Sequence, residues 1–342
     1  MSLLCSCCLK QPGDYKTKQQ RQHNREAEIM AKADLITGFL GSGKTTFILQ
    51  YVKYLKEKGE RIAVLENDLG AVNVDALLLE DIEDDACEIE TVAGGCDHDC
   101  HVRRFRTKLI ALGMQGFDRV IVEPSGIYDV DEFFDVLHEE PLDRWYETGN
   151  VIAIMDIHMM ESSLSREAGY FIMSQAAQAG ILLLSHVQEV ASSEREAVIP
   201  FLNRIMEEFG CDRRYESGDV LVKDWEQLTK EDFETIHSCG RCLSDHIKLP
   251  LEDAHGFSSL YFMNLSISVS VMEKKAAMLL QDPSLGEILR IKGFHFEDGK
   301  WYELNASRSG VTVKPCKAGQ EVWIVIGEGL NQEKIQTLIE TV

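Results

Sequence analysis

Long apolar runs are missing from this 342-residue chain. No stretch of roughly 18 or more apolar residues occurs, which excludes a membrane-spanning helix. The first residues, Met1-Ser-Leu-Leu-Cys-Ser-Cys-Cys, carry no basic start and only a very short apolar run, so a cleaved secretory signal is not expected. Cationic side chains are scarce too: 35 Lys and Arg face 57 Asp and Glu, a formal net charge of −22. So acidic a chain repels phosphate backbones and anionic lipid unless it hides a local basic groove. Neither nucleic acid nor membrane is therefore an expected partner. Ten cysteines, about 3% of the chain, fall well below the roughly 8–10% of disulfide scaffolds. A cytoplasmic location is expected, where disulfides are rare and Cys serves as a buried hydrophobe or a metal or redox group. No internal repeat or low-complexity tract is present.

What is present is ordinary globular material: 44% hydrophobic, 8% aromatic and 27% charged residues, enough for a sizeable core. The length suggests two domains. Residues 1–32 read as a flexible polar tail, and Met30 would serve as a start of its own. From Asp34, apolar strand-like runs (Leu35–Thr37, Ile62–Leu65, Val120–Val122, Val151–Met155, Ile181–Leu184) alternate with helix-period segments (Thr45–Lys58, Val102–Leu112, Val130–Leu137, Ser165–Gln178, Ser193–Phe209). That alternation predicts an α/β domain over 33–212, a mostly parallel sheet covered by helices on both sides. Residues 213–258 are polar, hold several aromatic positions and a Cys/His cluster, and read as a linker. Residues 259–342 read as a small α+β domain. Its expected elements are a period-two strand over Tyr261–Val271, helices at Glu273–Gln281 and Leu285–Leu289, strands at Gly299–Leu304 and Glu321–Ile326, and a closing helix at Asn331–Glu340.

The firmest motif is Gly38-Phe-Leu-Gly-Ser-Gly-Lys44-Thr45-Thr46, a full G-x-x-x-x-G-K-[ST] between a strand and a helix. Gly38, Gly41, Ser42 and Gly43 let backbone amides turn inward around phosphates, and the helix N-terminus adds positive potential. Lys44 reaches the β- and γ-phosphates, and Thr45 is placed to ligate Mg²⁺. The run Asp118–Val122 delivers Glu123-Pro-Ser-Gly126: a carboxylate for Mg²⁺ or its water, then a glycine amide for the terminal phosphate. Glu66-Asn67-Asp68-Leu-Gly70 follows another strand and offers Asp68 near the metal and the attacking water.

These residues resemble the CobW-like P-loop GTPases, relatives of HypB and UreG. Gly38–Thr46, Glu66–Gly70 and Glu123–Gly126 match that family's ordered motifs, and Leu289-Arg-Ile-Lys-Gly293-Phe294 is similar to the signature of its C-terminal domain. The similarity spans roughly residues 33–342. It implies GTP hydrolysis coupled to delivery of a transition metal, commonly zinc or cobalt, to a client protein.

Two departures bear on function. The family's G-C-x-C-C reads here Gly95-Cys96-Asp97-His98-Asp99-Cys100-His101. Cys96, His98 and Cys100 still suit Zn²⁺ or Co²⁺, with Asp97, Asp99 or His101 as a further ligand, provided that the segment is a bent or extended loop. The family's N-K-x-D base motif reads Ser185-His186-Val187-Gln188, and Gln188 lacks the paired acceptor that reads guanine. GTP is what the resemblance implies; ATP or relaxed specificity is what these residues leave open. His237, Cys239, Cys242 and His246 could form a zinc site, although packed Cys and surface His on a helix is the plainer account.

The expected function is thus a Mg²⁺-dependent nucleotide hydrolase delivering zinc or cobalt to a metalloprotein. One rival is an NTPase servicing a cobalamin or corrinoid enzyme without metal cargo. Another is a nucleotide-binding interaction module with negligible turnover. Lys44, Asp68 and Glu123 are the expected catalytic residues.

Overall fold

The computed structural model describes residues 30–68, 79, 82–94, 98–161, 165–249, 257–263, 265, 267–307, 310–317 and 319–340. The expected tail, residues 1–29, lies outside that set.

The N-terminal part runs β1 (Ala31–Thr37), α1 (Lys44–Glu57), β2 (Ile62–Asp68), β3 (Cys87–Ala93), α2 (His98–Gly113), β4 (Arg119–Pro124), α3 (Val130–Leu137), β5 (Tyr146–Asp156), α4 (Arg166–Ala177), β6 (Ile181–Ser185), α5 (Ser192–Glu196), α6 (Val198–Glu208), β7 (Val220–Leu221) and α7 (Lys230–His237). Its seven strands form a parallel sheet in the order β3-β2-β4-β1-β5-β6-β7. Successive residues of a strand point to opposite faces, so a sheet covered on both sides needs apolar residues throughout. Ile36, Val64, Ile121, Ile152 and Leu183 join Phe47, Ile48, Val52 and Leu55 of α1 in one core layer. Leu35, Leu65, Val120, Val122, Ala153 and Leu184 form the other layer with α2, α3, α4 and α6. The α/β architecture expected from the alternating pattern is what the chain adopts.

One polar residue interrupts that plan. Asp34, in central β1, is fully buried, and Arg119, at the start of neighbouring β4, is only 2% exposed. Arg119 Nη1 donates to both Asp34 oxygens at 2.6 and 2.7 Å, and its Nε donates to Glu60 at 2.8 Å. Tyr51 of α1 donates its hydroxyl to Asp34 (3.1 Å), and the Asn150 backbone N–H of β5 donates at 2.7 Å. His237 at the end of α7 closes the set against Glu60 (2.8 Å). Burial pushes the Glu60 carboxyl up, but hydrogen bonds and charge from Arg119, then His237, more than offset it, so it titrates below its ordinary 4.5.

The C-terminal part runs β8 (Phe257–Met263), α8 (Val269–Gln281), β9 (Glu287–Glu297), β10 (Lys300–Ser307), β11 (Gly310–Cys316), β12 (Val322–Glu328) and α9 (Gln332–Glu340). Its antiparallel sheet has the order β11-β10-β9-β12-β8. Ile291, Leu304, Ala306, Trp323 and Val325 pack on Met272, Ala276 and Leu279 of α8 and Ile335 and Ile339 of α9. The residues between them in each strand belong to the other face.

Several expectations are corrected. The period-two strand over Tyr261–Val271 ends at Met263, and α8 already holds Val269 and Val271. The Ser/Val alternation there is overridden by Met272, Ala276 and Leu279, whose i, i+4, i+7 spacing supplies a buried helical face. The helix expected at Leu285–Leu289 is broken by Gly286 at φ 96, and Glu287 instead opens an 11-residue strand. Residues 213–258, expected as linker, include β7, which extends the first sheet, and α7, which packs against α1 through Phe233 on Tyr54 (5.2 Å between rings). Among the described residues no helix is long and apolar enough to cross a membrane.

Asp34→Ala leaves a buried guanidinium without its main partner and lowers unfolding free energy by about 3–5 kcal/mol, measured by urea denaturation. A loss below about 1 kcal/mol would show that β1 does not depend on the pair. Because the folded Glu60 carboxyl is depressed, its stabilisation is present above 4.5 and lost as pH falls through the folded value. Glu60→Gln therefore flattens the acid limb of the stability–pH curve.

Candidate nucleotide-binding site

β1 ends at the centre of the sheet's carboxyl edge, where open α/β sheets bind ligands. The chain turns there through Gly38 at φ 154, and a Cβ on Gly38 would lie 2.2 Å from the Ile154 carbonyl oxygen, so only glycine fits. The loop closes into α1, whose first residue is Lys44. The Lys44 ammonium donates to the Gly38 carbonyl at 2.9 Å, bridging the base of the loop. Thr45 donates its hydroxyl to Glu123 Oε1 at 2.9 Å. Glu123 of β4 is the register partner of Glu66 on β2, and both carboxylates are buried, at 5% and 3% exposure. Gly126 abuts the loop so closely that a Cβ on it would sit 2.7 Å from the Leu40 nitrogen, and Gln175 donates to its carbonyl at 2.9 Å.

Around this centre, buried polar atoms have no hydrogen-bond partner among the described residues: Thr37 Oγ1, Ser42 Oγ, both amide atoms of Asn67, and Ser185 Oγ. Leaving such groups unsatisfied costs about 1–3 kcal/mol each, which a polar ligand repays. A hydroxyl and a carboxylate side by side are the hard oxygen donors that Mg²⁺ takes, so Thr45 and Glu123 fit the implied ion. The cleft has a volume of about 450 Å³. It is bounded by the loop residues Leu40–Thr46, by Glu66 and Glu123–Gly126, and from the second sheet by Arg290, Lys292, Glu303, Asn305, Thr312, Lys314 and Ile326.

The expected phosphate-side residues Gly38, Gly41, Ser42, Gly43, Lys44, Thr45, Glu123 and Gly126 thus converge, and Thr46 stands exposed in the first turn of α1. Asp68 closes β2 in register with Ala93, but its side chain lies outside the described residues. In the base loop Ser185 is buried at the end of β6 and Gln188 is exposed. His186 adopts a left-handed φ of 58 and places Nδ1 3.2 Å from Asp156 Oδ2. The Asp156 carboxylate raises the His186 imidazole above its ordinary value, against the lowering effect of burial. Its ring is thus engaged with Asp156. Sequence reasoning missed Trp225, just after β7. Its ring atoms lie 3.1 and 3.2 Å from where a Gly43 Cβ would be, with the Ser185 Cβ 3.9 Å from that point, and its indole N–H is buried without a partner among the described residues. The available signal was a lone Trp in a polar stretch directly after the last strand of the sheet.

The metal motif is only partly described: Gly95, Cys96 and Asp97 lie outside the described residues. The loop expected there is helical from His98 onward, a full turn earlier than the apolar period indicated. His98 is exposed and pairs with Glu132 at 2.9 Å, Cys100 is half-buried, and His101 is buried with Nδ1 3.2 Å from the Gly94 carbonyl. Side chains two residues apart on a helix diverge by about 200°, so His98 and Cys100 do not converge. Among the described residues, no group of three or more His, Cys, Asp or Glu is placed to hold a metal. The second cluster disperses too. His237 faces Glu60 and Arg119, and Cys239 lies against Asn150, where burial pushes its thiol up to about 12. His246 is buried beside Tyr170 and Asp131.

The nucleotide-binding-domain model of the CobW/HypB/UreG family matches residues 32–208. The chain is 31% identical over 188 residues to the protein named zinc chaperone YeiR of Escherichia coli (strain K12), covering 54% of each. It is 31% identical over 171 residues to zinc chaperone YjiA of the same organism, covering 47% of this chain and 51% of that one. It therefore spans about half the length of the curated relatives it matches. Among solved structures it is similar to Zn(II)-bound YjiA GTPase from E. coli (20% identity, TM-score 0.35, 90% of this chain and 98% of that one). It is also similar to HypB from Helicobacter pylori in complex with nickel (14%, TM-score 0.36, 65% and 89%).

Lys44→Ala weakens nucleoside triphosphate binding at least tenfold, about 1.4 kcal/mol. Glu123→Gln weakens it only when Mg²⁺ is present. Calorimetric titration with and without Mg²⁺ checks both, and equal affinities for all three proteins would show that the nucleotide binds elsewhere.

Proposed function

Because the chain belongs to the CobW/HypB/UreG nucleotide-binding family, we propose that it hydrolyses a nucleoside triphosphate and couples that step to binding and handing over a transition metal to a client protein. The observation that carries the first half is the Lys44–Thr45–Glu123 arrangement beside buried polar atoms that have no partner among the described residues. Loop amides and Lys44 bind and orient the phosphates. When bound, Mg²⁺ neutralises phosphate charge, held by the Thr45 hydroxyl and the Glu123 carboxylate. The Gly126 amide meets the terminal phosphate, and Glu66 and Asp68 are the carboxylates available to orient a water and take its proton. The second sheet walls off part of the cleft and limits bulk water.

Base selection is weak in this reading. Gln188 is exposed and His186 is turned to Asp156, so the pair of acceptors that reads guanine is missing, while Ser185 and Trp225 border the base end. The relatives named zinc chaperones make zinc the first metal to test. Cys96, His98 and Cys100 are the proposed cargo ligands. His98 and Cys100 sit on different sides of the first turn of α2, so both reach one ion only if that turn unwinds. Cargo loading is thereby linked to the start of α2 and, through β3 and β2, to the Glu66 edge of the cleft.

Phosphate release with GTP and with ATP, with and without Zn²⁺ or Co²⁺, tests the reading. Wild type releases phosphate, Lys44→Ala does not, and GTP is favoured over ATP by less than about 100-fold. Cys96→Ser and Cys100→Ser lower metal stoichiometry from one toward zero, and metal loading reduces the helix signal by about one turn. Release by wild type no faster than by Lys44→Ala would leave a binding module without turnover.

A further inference from the structure

We infer that Arg290 and Lys292 of the second sheet contact the terminal phosphate of the nucleotide held by the loop of the first. The inference rests on the reading that this cleft binds a nucleoside triphosphate. Strand alternation sets the geometry. On β9, Ile291 goes to the α8 core, so Arg290 and Lys292 share the opposite face, which borders the cleft. The sheet is seated firmly there. Phe257 packs edge-on against Phe39 and Phe171 (5.9 and 5.7 Å), Leu289 joins the first sheet's core layer, and Ser165 donates to Glu328 at 2.5 Å. At the loop itself, a Cβ on Gly41 would lie 4.0 Å from the Ser307 Cβ, and Ser307 is the cross-strand partner of Arg290.

The approach is at the terminal-phosphate end. Leu40 adjoins Gly126, and Glu123 with Thr45 marks the metal side. The charge pattern agrees. In a chain of net charge −22, the described lining of the cleft from the second sheet carries Arg290, Lys292 and Lys314 with the carboxylate of Glu303, and Glu66 and Glu123 line it from the first. Glu303 stands directly opposite Lys314. The register neighbours of Arg290 are Ser307 and Ile326, both uncharged. Lys292 is only 4% exposed, and Arg290 Nε is buried without a partner among the described residues. A buried guanidinium nitrogen left without an acceptor is costly, and a phosphate oxygen in the cleft would satisfy it. A guanidinium at the terminal phosphate stabilises the charge that builds there during transfer, as arginine fingers do.

The test uses the full chain with Mg²⁺ and compares Arg290→Ala, Arg290→Lys and Lys292→Met, the last keeping the aliphatic stem. Affinities for a non-hydrolysable triphosphate and for the diphosphate are titrated, and single-turnover phosphate release is timed. Expected are a loss of tenfold or more in triphosphate affinity or release rate for Arg290→Ala and Lys292→Met, diphosphate affinity within threefold, and partial recovery in Arg290→Lys. Circular dichroism and thermal unfolding confirm that Arg290→Ala, half-exposed and so least disruptive, folds as wild type. Triphosphate affinity and release within twofold of wild type in both variants, while Lys44→Ala abolishes release, overturns the inference and leaves the proposed function standing. Absence of triphosphate binding by wild type overturns both.

Discussion

A carboxylate sealed inside a central strand must keep a cation at its side, and the Asp34–Arg119 pair is the contact on which the rest of this structure rests. It joins β1 to β4 directly, reaches α1 through Tyr51 and β5 through Asn150, and draws in the end of α7 through Glu60 and His237. These are the elements whose opposite ends carry the loop glycines, Lys44, Glu123 and Asp156. A buried ion pair is a poor source of net stability compared with apolar packing, yet breaking one side of it is expensive. Its value here is register. Asp34 accepts from β4, from α1 and from the β5 backbone at once, so a one-residue slip of any strand would lose the set.

Much of the architecture was legible because parallel, doubly covered strands have nowhere to put polar residues. Ile62–Leu65, Val120–Val122 and Ile181–Leu184 are near-continuous apolar runs, and Val130–Leu137 has the same bounds in sequence and structure. Legibility failed where packing overrode local pattern. The alternation at Ser268–Val271 is as good a strand signal as any in the chain, but the buried stripe that continues through Leu279 is helical. β9 carries Arg290 and Lys292 among its apolar residues, a mixture that looks like surface until one knows that the face they share borders a cleft.

The phosphate loop was readable because its chemistry is carried by consecutive residues. Contributions from elsewhere in the chain were not. Trp225, Arg290 and Lys292 come to the cleft only through the order of strands and the seating of one sheet on another. Asp34 was visible as a letter inside an apolar strand, but its partners lie 17 positions away for Tyr51, 85 for Arg119 and 116 for Asn150. The acidic composition, which argued against nucleic acid, says nothing by itself about a site where a few cations are concentrated against the general field.

The seating of Ser307 over Gly41 bears on timing as well as on contacts. On the proposed reading, a bound nucleotide would be covered on that side, and its exchange would need the second sheet to lift or a path along the remaining open side. In the proposed cycle, departure of the spent nucleotide then sets a clock that chemistry at Lys44 does not control, and the length of each occupied interval is written into Phe257, Leu289 and the Ser165–Glu328 contact, none of which needs to touch the ligand.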